Sequence, residues 1–143
     1  MYALWDEWVE RESPVPSWVE DAREGTRIGI DEAVSSGSAV IAEEHGEVLG
    51  FACGVMAGLR VGDLTELYVR PDARRRAVAH VLVRAVVAEL EQHGAAFVTG
   101  GVAPDNAAAR AFYAKVGFRP IELRLVADVE TLARRLADPP GSA

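Results

Sequence analysis

The stretch Leu64 to Ala79, reading LTELYVRPDARRRAVA, runs from strand-forming residues into a loop holding Arg74, Arg75 and Arg76 and then into a helix start. Residue types in that order suit an anion. The first N–H groups of a helix lack intrahelical partners and carry a partial positive charge, so main-chain donors can hold a phosphate while arginines add charge and bidentate reach. Farther along, Asn106-Ala107-Ala108-Ala109-Arg110-Ala111-Phe112-Tyr113-Ala114-Lys115-Val116-Gly117-Phe118 places Asn106, Arg110 and Tyr113 at offsets that share one helix face. A polar stripe that includes a phenol can line a cleft.

The elements that must position these residues are legible in outline. Trp5, Trp8 and Val9 share a helix face before Pro14 and Pro16 interrupt, and Ser17 with Glu20 has the spacing of a capping box for a second helix. Ala39 to Ala42 and Val48 to Met56 read as a hairpin about His45-Gly46, and Leu64 to Val69 reads as a third strand that must end by Pro71. An amphipathic helix follows over about residues 77–93, with Val78, Leu82, Ala85, Val86 and Leu90 on one stripe and Gly94 as its stop. Ala95 to Thr99 is a buried-type strand, Asp105-Asn106 opens a helix to Val116, and Gly117 closes it. Strand, helix, strand, helix in that order predicts a parallel pair joined by a right-handed crossover. Ile121, Leu123 and Leu125 alternate with Glu122 and Arg124, which predicts a return to strand, and a short helix is expected over about residues 129–136.

Composition narrows the partners. The 143 residues suit one domain, half of them are apolar, and 22 acidic against 15 basic residues give a net charge of −7. Such a field disfavours nucleic acid and anionic membranes and suits a cationic amine. The single cysteine, Cys53, lies in an apolar run and reads as core filler, compatible with a reducing cytoplasm. His45, His80 and His93 have no paired ligand spacing, so no metal is expected. The N-terminal residues lack a basic region followed by an apolar stretch, which predicts a cytoplasmic protein.

Together, LYVRPDARRRAVA and NAAARAFYAKVGF, separated by an amphipathic helix and a strand, resemble the GNAT superfamily of acyl-CoA-dependent N-acetyltransferases over about residues 38–129. The resemblance implies an α/β (α+β) fold: a mixed, largely antiparallel central sheet with a parallel pair at the cofactor cleft and helices on both faces. It implies acetyl-CoA as co-substrate, with the main chain of Leu67, Tyr68 and Val69 alongside the pantetheine arm. Arg74, Arg75, Arg76, Ala77, Val78 and Ala79 would wrap the pyrophosphate, Asn106 would contact the cofactor arm, and Arg110 would reach its phosphate end. Tyr113 would sit near the sulfur as general acid, a role suited to a phenol that stays protonated at neutral pH.

Two departures stand out. The family loop has the pattern Gln/Arg-x-x-Gly-x-Gly/Ala, whereas here Ala77 stands at the first glycine. Helical dihedrals at Ala77 would make this cheap and a positive φ would make it costly; the expectation is that binding survives. The strand with which family members commonly begin is also missing from the N-terminal pattern.

The implied reaction is direct attack of a primary amine, on a small molecule or a protein, through a tetrahedral oxyanion stabilised by a strand N–H near Leu67 to Val69. Removing the ammonium proton calls for a carboxylate or a water held by one. Asp63 and Glu66 are the local choices; on a regular strand they face opposite sides, and Glu66, sharing parity with Tyr68, is preferred. The competing reading is a catalytically weak acyl-CoA-binding module, regulatory or serving as a dimer partner. A sheet with a short C-terminal hairpin leaves an edge to cover, so a homodimer is a further expectation.

Overall fold

The computed structural model describes residues 3, 4, 6, 7, 28, 30–137 and 141. The expected second helix from Ser17 and the three tryptophans lie outside the described residues. Residues 3, 4, 6 and 7 are helical, as are residues 30–36 just before the sheet.

Among the described residues the sheet has four strands, in spatial order β1 (Ala39–Glu44), β2 (Glu47–Met56), β3 (Val61–Val69) and β4 (Phe97–Gly100). β1, β2 and β3 pair antiparallel, whereas β3 and β4 pair parallel, Val61 opposite Phe97 through Leu64 opposite Gly100. Helix α1 (Val78–Gln92) makes the connection between the parallel pair, and α2 (Ala107–Val116) and α3 (Val129–Ala137) follow β4. The turn between β1 and β2 places His45 and Gly46 at positive φ, 51° and 82°, the dihedral sign that a two-residue hairpin turn requires.

Each face of the sheet has its own apolar cluster. Leu49, Ala52, Leu64 and Val69 pack under Leu82, Val83, Val86 and Leu90 of α1. The opposite face gathers Phe51, Cys53 and Tyr68 with Leu4, Ile30 and Ala33. On the α1 side the sheet is stripped of side chains where the helix crosses: a Cβ at Gly54 would lie 2.6 Å from Val86 Cγ1, and one at Gly62 would lie 2.8 Å from Leu90 Cδ1. The glycines let α1 approach closely enough to fill the layer.

Two expectations change. Residues 121–126 carry no regular secondary structure and are not paired into any strand, and Ile121, Leu123 and Leu125 are exposed. The alternation was real, but periodicity reports a face with something to bury and not the neighbour that buries it. The second change concerns β3. Cys53 pairs with Glu66 and Gly54 with Leu64, so Thr65 is an extra residue on β3, a β-bulge. The bulge resets the alternation, and Asp63, opposite Val55, and Glu66, opposite Cys53, lie on the same face, the one away from α1. The expectation that they face opposite sides held only for a regular strand.

Candidate active site

β3 outruns its parallel partner. Pairing with β4 ends at Leu64, and Thr65 to Val69 continue beyond it, so the two strands open into a gap. Arg70 N donates to Leu49 O at 2.9 Å on the β2 side, and the two-residue repeat therefore turns the main-chain groups of Val69 and Leu67 away from β2, toward that gap. Tyr68 main-chain groups face β2 by the same parity. Its side chain has another use: the ring is fully buried and the phenol donates to Glu7 Oε1 at 2.6 Å.

The chain leaves β3 through Arg70 and a short 3-10 turn, Pro71–Ala73, into the arginine loop. Arg74 folds back on the strand it has just left, donating from Nε to Val69 O at 2.9 Å with its guanidinium carbon 5.8 Å from the Tyr68 ring centre. Arg76 pairs with Glu44 across the turn, and Arg75 extends from a left-handed backbone at φ 63°. Of the three arginines, Arg74 thus braces the loop against β3 while Arg75 and Arg76 lie exposed beside the helix start.

That start is left open. Ala77 precedes α1 at φ 61° and ψ 12°, supplies no side-chain cap, and no acidic residue occupies the first turn. The N–H groups of Val78, Ala79 and His80 lie ahead of the first intrahelical bond, Val81 N to Ala77 O at 3.1 Å. Three uncapped donors, a positive helix end and adjacent arginines form an anion cradle. Of the two conformations considered for Ala77, the left-handed one is present.

α2 begins differently. Asn106 caps it through Oδ1, which accepts from Ala109 N at 3.0 Å, and Gly117 ends it in the left-handed conformation. Arg110 Nη1 donates to Pro104 O at 3.0 Å, so both polar residues of the expected stripe brace the turn ahead of the helix. Tyr113 turns inward, edge-on to Phe112 and Phe118 with ring centres 5.6 Å and 5.1 Å away, and packs against the α1-side cluster. Burial, and then the charge of Asp63, push its phenol up to about 12.

The carboxylates complete the site. Glu66 is 6% exposed, and Thr65 Oγ1 donates to its Oε2. Burial pushes Glu66 up to about 7, the Thr65 hydrogen bond opposes the rise, and Asp63 adds to it. Asp63 accepts from Thr99 Oγ1 at 2.7 Å, a bridge between β3 and β4 at their last paired residues but one. The Thr65 and Thr99 contributions leave no mark in residue order, because the first depends on the bulge in the β2–β3 register and the second on the pairing of β3 with β4. The remaining nucleophile, Cys53, is fully buried and its thiol is pushed up to about 12 by burial and by Glu66, as suits core filler. Among the described residues no group of three or more His, Cys, Asp or Glu could hold a metal ion, and no helix is long and apolar enough to cross a membrane.

Solved structures share this fold. The aminoglycoside N-acetyltransferase AAC(6')-Iy in complex with CoA superposes with a TM-score of 0.63 and 21% identity, over 77% of this chain and 91% of that one. The same enzyme in complex with a bisubstrate analogue, CoA-S-monomethyl-acetylneamine, gives 0.63 and 22% over 79% and 82%. Ard1 from Thermoplasma volcanium gives 0.61 and 24% over 65% and 64%. A comparison with curated protein sequences gave no match. The acetyltransferase (GNAT) family model matches residues 1–118, which includes the strand gap, the arginine loop and both helices that border it, and the chain belongs to that family.

Proposed function

We propose that the protein transfers an acetyl group from acetyl-CoA to a primary amine by direct attack. The observation that carries this reading is the gap between β3 and β4 opening beside the uncapped start of α1. One long ligand with an amide-bearing arm and a pyrophosphate matches both ends of that arrangement. Leu67 and Val69 offer strand-edge hydrogen bonds to the arm, and Val78 to His80 offer main-chain donors to the pyrophosphate, reinforced by Arg75 and Arg76. Arg74 holds the loop in register through Val69 O. Asn106 and Arg110 act on the arm at one remove, by fixing the start of α2.

Glu66 and Tyr113 belong to opposite faces of the sheet. For both to act, the reacting group must lie in the gap, at the edge of β3 where those faces meet. Glu66, with its carboxyl near 7, takes a proton from the incoming ammonium directly or through water. The free amine nitrogen then bonds to the thioester carbon, with the oxyanion held by a strand N–H, that of Leu67 by the parity of β3. As the carbon–sulfur bond breaks, the electron pair stays on sulfur and Tyr113 delivers its proton there, while the nitrogen gives up its extra proton, through water, to the tyrosinate left behind, giving an amide and free CoA thiol with the phenol restored. A phenol near 12 is fully protonated at working pH and available for that step.

The acceptor wall is the face away from α1, where Asp63 and Glu66 lie together because of the Thr65 bulge. Two acids there and a net charge of −7 favour a cationic amine acceptor over a neutral one. Titration calorimetry with acetyl-CoA, followed by a free-thiol assay over a panel of amines, tests the proposal. Binding with turnover of at least one amine is expected. Binding without turnover on any amine would favour a cofactor-binding module, and absence of binding would remove both readings. Tyr113→Phe should lower kcat by about a hundredfold or more while acetyl-CoA affinity stays nearly unchanged; equal turnover would retire the phenol as the acid.

A further inference from the structure

We propose that Thr65 is a positioning residue for Glu66: its hydroxyl, carried by the β3 bulge, holds the carboxylate for the incoming ammonium and turns to Cys53 O once the carboxyl is neutral. The proposal rests on the reading of Glu66 as the base. On a regular strand neighbouring side chains leave opposite faces and do not meet. The bulge re-aims Thr65, which lies between the pairs Cys53–Glu66 and Gly54–Leu64, so that its Oγ1 donates to Oε2 of the very next residue. The same Oγ1 lies 3.3 Å from Cys53 O on β2. A hydroxyl carries one proton, and carbonyl and carboxylate oxygens only accept, so the two bonds exclude each other at any instant.

The proton of Glu66 decides between them. A charge-assisted bond is about twice as strong as a neutral one, so the ionised carboxylate takes the hydroxyl. Oε1 has no hydrogen-bond partner among the described residues and is left to accept the proton of the ammonium. As the nitrogen–hydrogen bond breaks, its electron pair stays on nitrogen and the proton bonds to Oε1. Oε2 is then a neutral carbonyl oxygen competing with Cys53 O, and the hydroxyl is released to turn. The carboxyl is thereby fixed in the state that must take a proton and loosened in the state that must give it up. The other titratable groups on this face are engaged elsewhere: Asp63 accepts from Thr99 Oγ1, Tyr68 donates to Glu7, and the Cys53 thiol, pushed up to about 12, stays neutral at working pH. Asp6, Asp31 and Glu32, on the helical segments that add Leu4, Ile30 and Ala33 to this face, are exposed. Among the described residues Thr65 is thus the side chain that donates to Glu66, and removing its hydroxyl acts against the carboxylate.

Carbon-detected NMR of protein labelled at the glutamate carboxyl carbons, with Glu66 assigned by the resonance lost in Glu66→Gln, follows this titration without cofactor or acceptor. Thr65→Val keeps the branched shape and removes the hydroxyl, whereas Thr65→Ser keeps the hydroxyl. Thr65→Val should raise the Glu66 midpoint by about one pH unit, and Thr65→Ser should leave it within about 0.3 unit. The rising limb of kcat/KM against pH should move by the same interval in Thr65→Val alone. Amide shifts of Gly54 and Leu64 report whether the bulge persists; should Thr65→Val displace it, Thr65→Ala is titrated in its place with the same expected shift. An unmoved midpoint in a variant that keeps the bulge would overturn the proposal, as would an equal move in Thr65→Ser or a rate limb that stays put while the midpoint moves. The titration needs no turnover, so a midpoint that moves in a protein acetylating no amine would support the hold of Thr65 on Glu66 and count against acetyl transfer instead.

Discussion

The two faces of β3 are built from alternate residues of one strand, yet they do different work. Toward α1, Leu64 and Val69 lie in a close-packed apolar layer thinned by Gly54 and Gly62 so that the helix can settle. On the other face, Glu66 and Tyr68 are equally buried but polar, and Asp63 joins them because Thr65 bulges out. The first face uses burial to stabilise the fold. The second uses it to keep a carboxyl half-protonated near neutrality, at a cost to the fold.

Glu66→Gln breaks the comparison most severely. It removes the carboxylate while keeping the shape, and kcat/KM should fall by about a hundredfold to ten-thousandfold, with loss of the rise in rate centred near pH 7 that the wild type should show. Stability should move the other way. The folded pKa lies above the value of 4.5 for a free glutamate, so the fold resists ionisation: there is no penalty below about 4.5, it grows as pH rises through that window, and it levels off above about 7. The variant should therefore gain about 2–3 kcal/mol relative to wild type between about pH 4 and pH 8. Urea melts at the two ends of that range check it; a pH-independent difference would mean that Glu66 ionises normally.

Gly54→Ala tests the opposite face. The new Cβ would meet Val86 Cγ1 at 2.6 Å and the Asp63 carbonyl oxygen at 3.3 Å. Valine has little rotamer freedom in a helix, so α1 must shift, and the expected loss is about 1–3 kcal/mol. Acetyl transfer per folded molecule should change little. Adding Val86→Ala should recover part of the loss, and a double variant no better than the sum of the singles would mean that the helix does not rest on Gly54.

Much of this arrangement could be read from residue order. The hairpin at His45-Gly46, the start of α2 at Asn106 and its end at Gly117, and the parallel pair with its helix are local signals, each fixed by a turn residue, a cap or a short period. Asp63 and Glu66 were misplaced because a bulge at Thr65 arises from register between two strands and leaves no mark on β3 itself. The elevated carboxyl of Glu66 was hidden for a related reason, since it requires Phe51, Cys53 and Tyr68 to converge from separate strands. Residues 121–125 show the converse: the alternation is strong and predicts a strand, but among the described residues no strand receives the segment and it takes up no regular structure.

The smallest expected effect sharpens the comparison at a residue belonging to neither face. Ala77 sits at φ 61°, in the left-handed region. For an L-residue this costs about 1–2 kcal/mol, against which glycine would bring about 0.5–1 kcal/mol of extra chain entropy on unfolding. Ala77→Gly should therefore stabilise the protein by at most about 1.5 kcal/mol. Glycine takes up the same dihedrals and leaves the main-chain donors in place, so that gain should appear in the melting curve, and acetyl-CoA affinity should change by less than about threefold. Titration of wild type and variant separates the two effects that an alanine can have at this position. Tightening of tenfold or more would mean that the Ala77 methyl group itself crowds the pyrophosphate, and the open start of α1 would then be an anion cradle narrowed by one carbon atom.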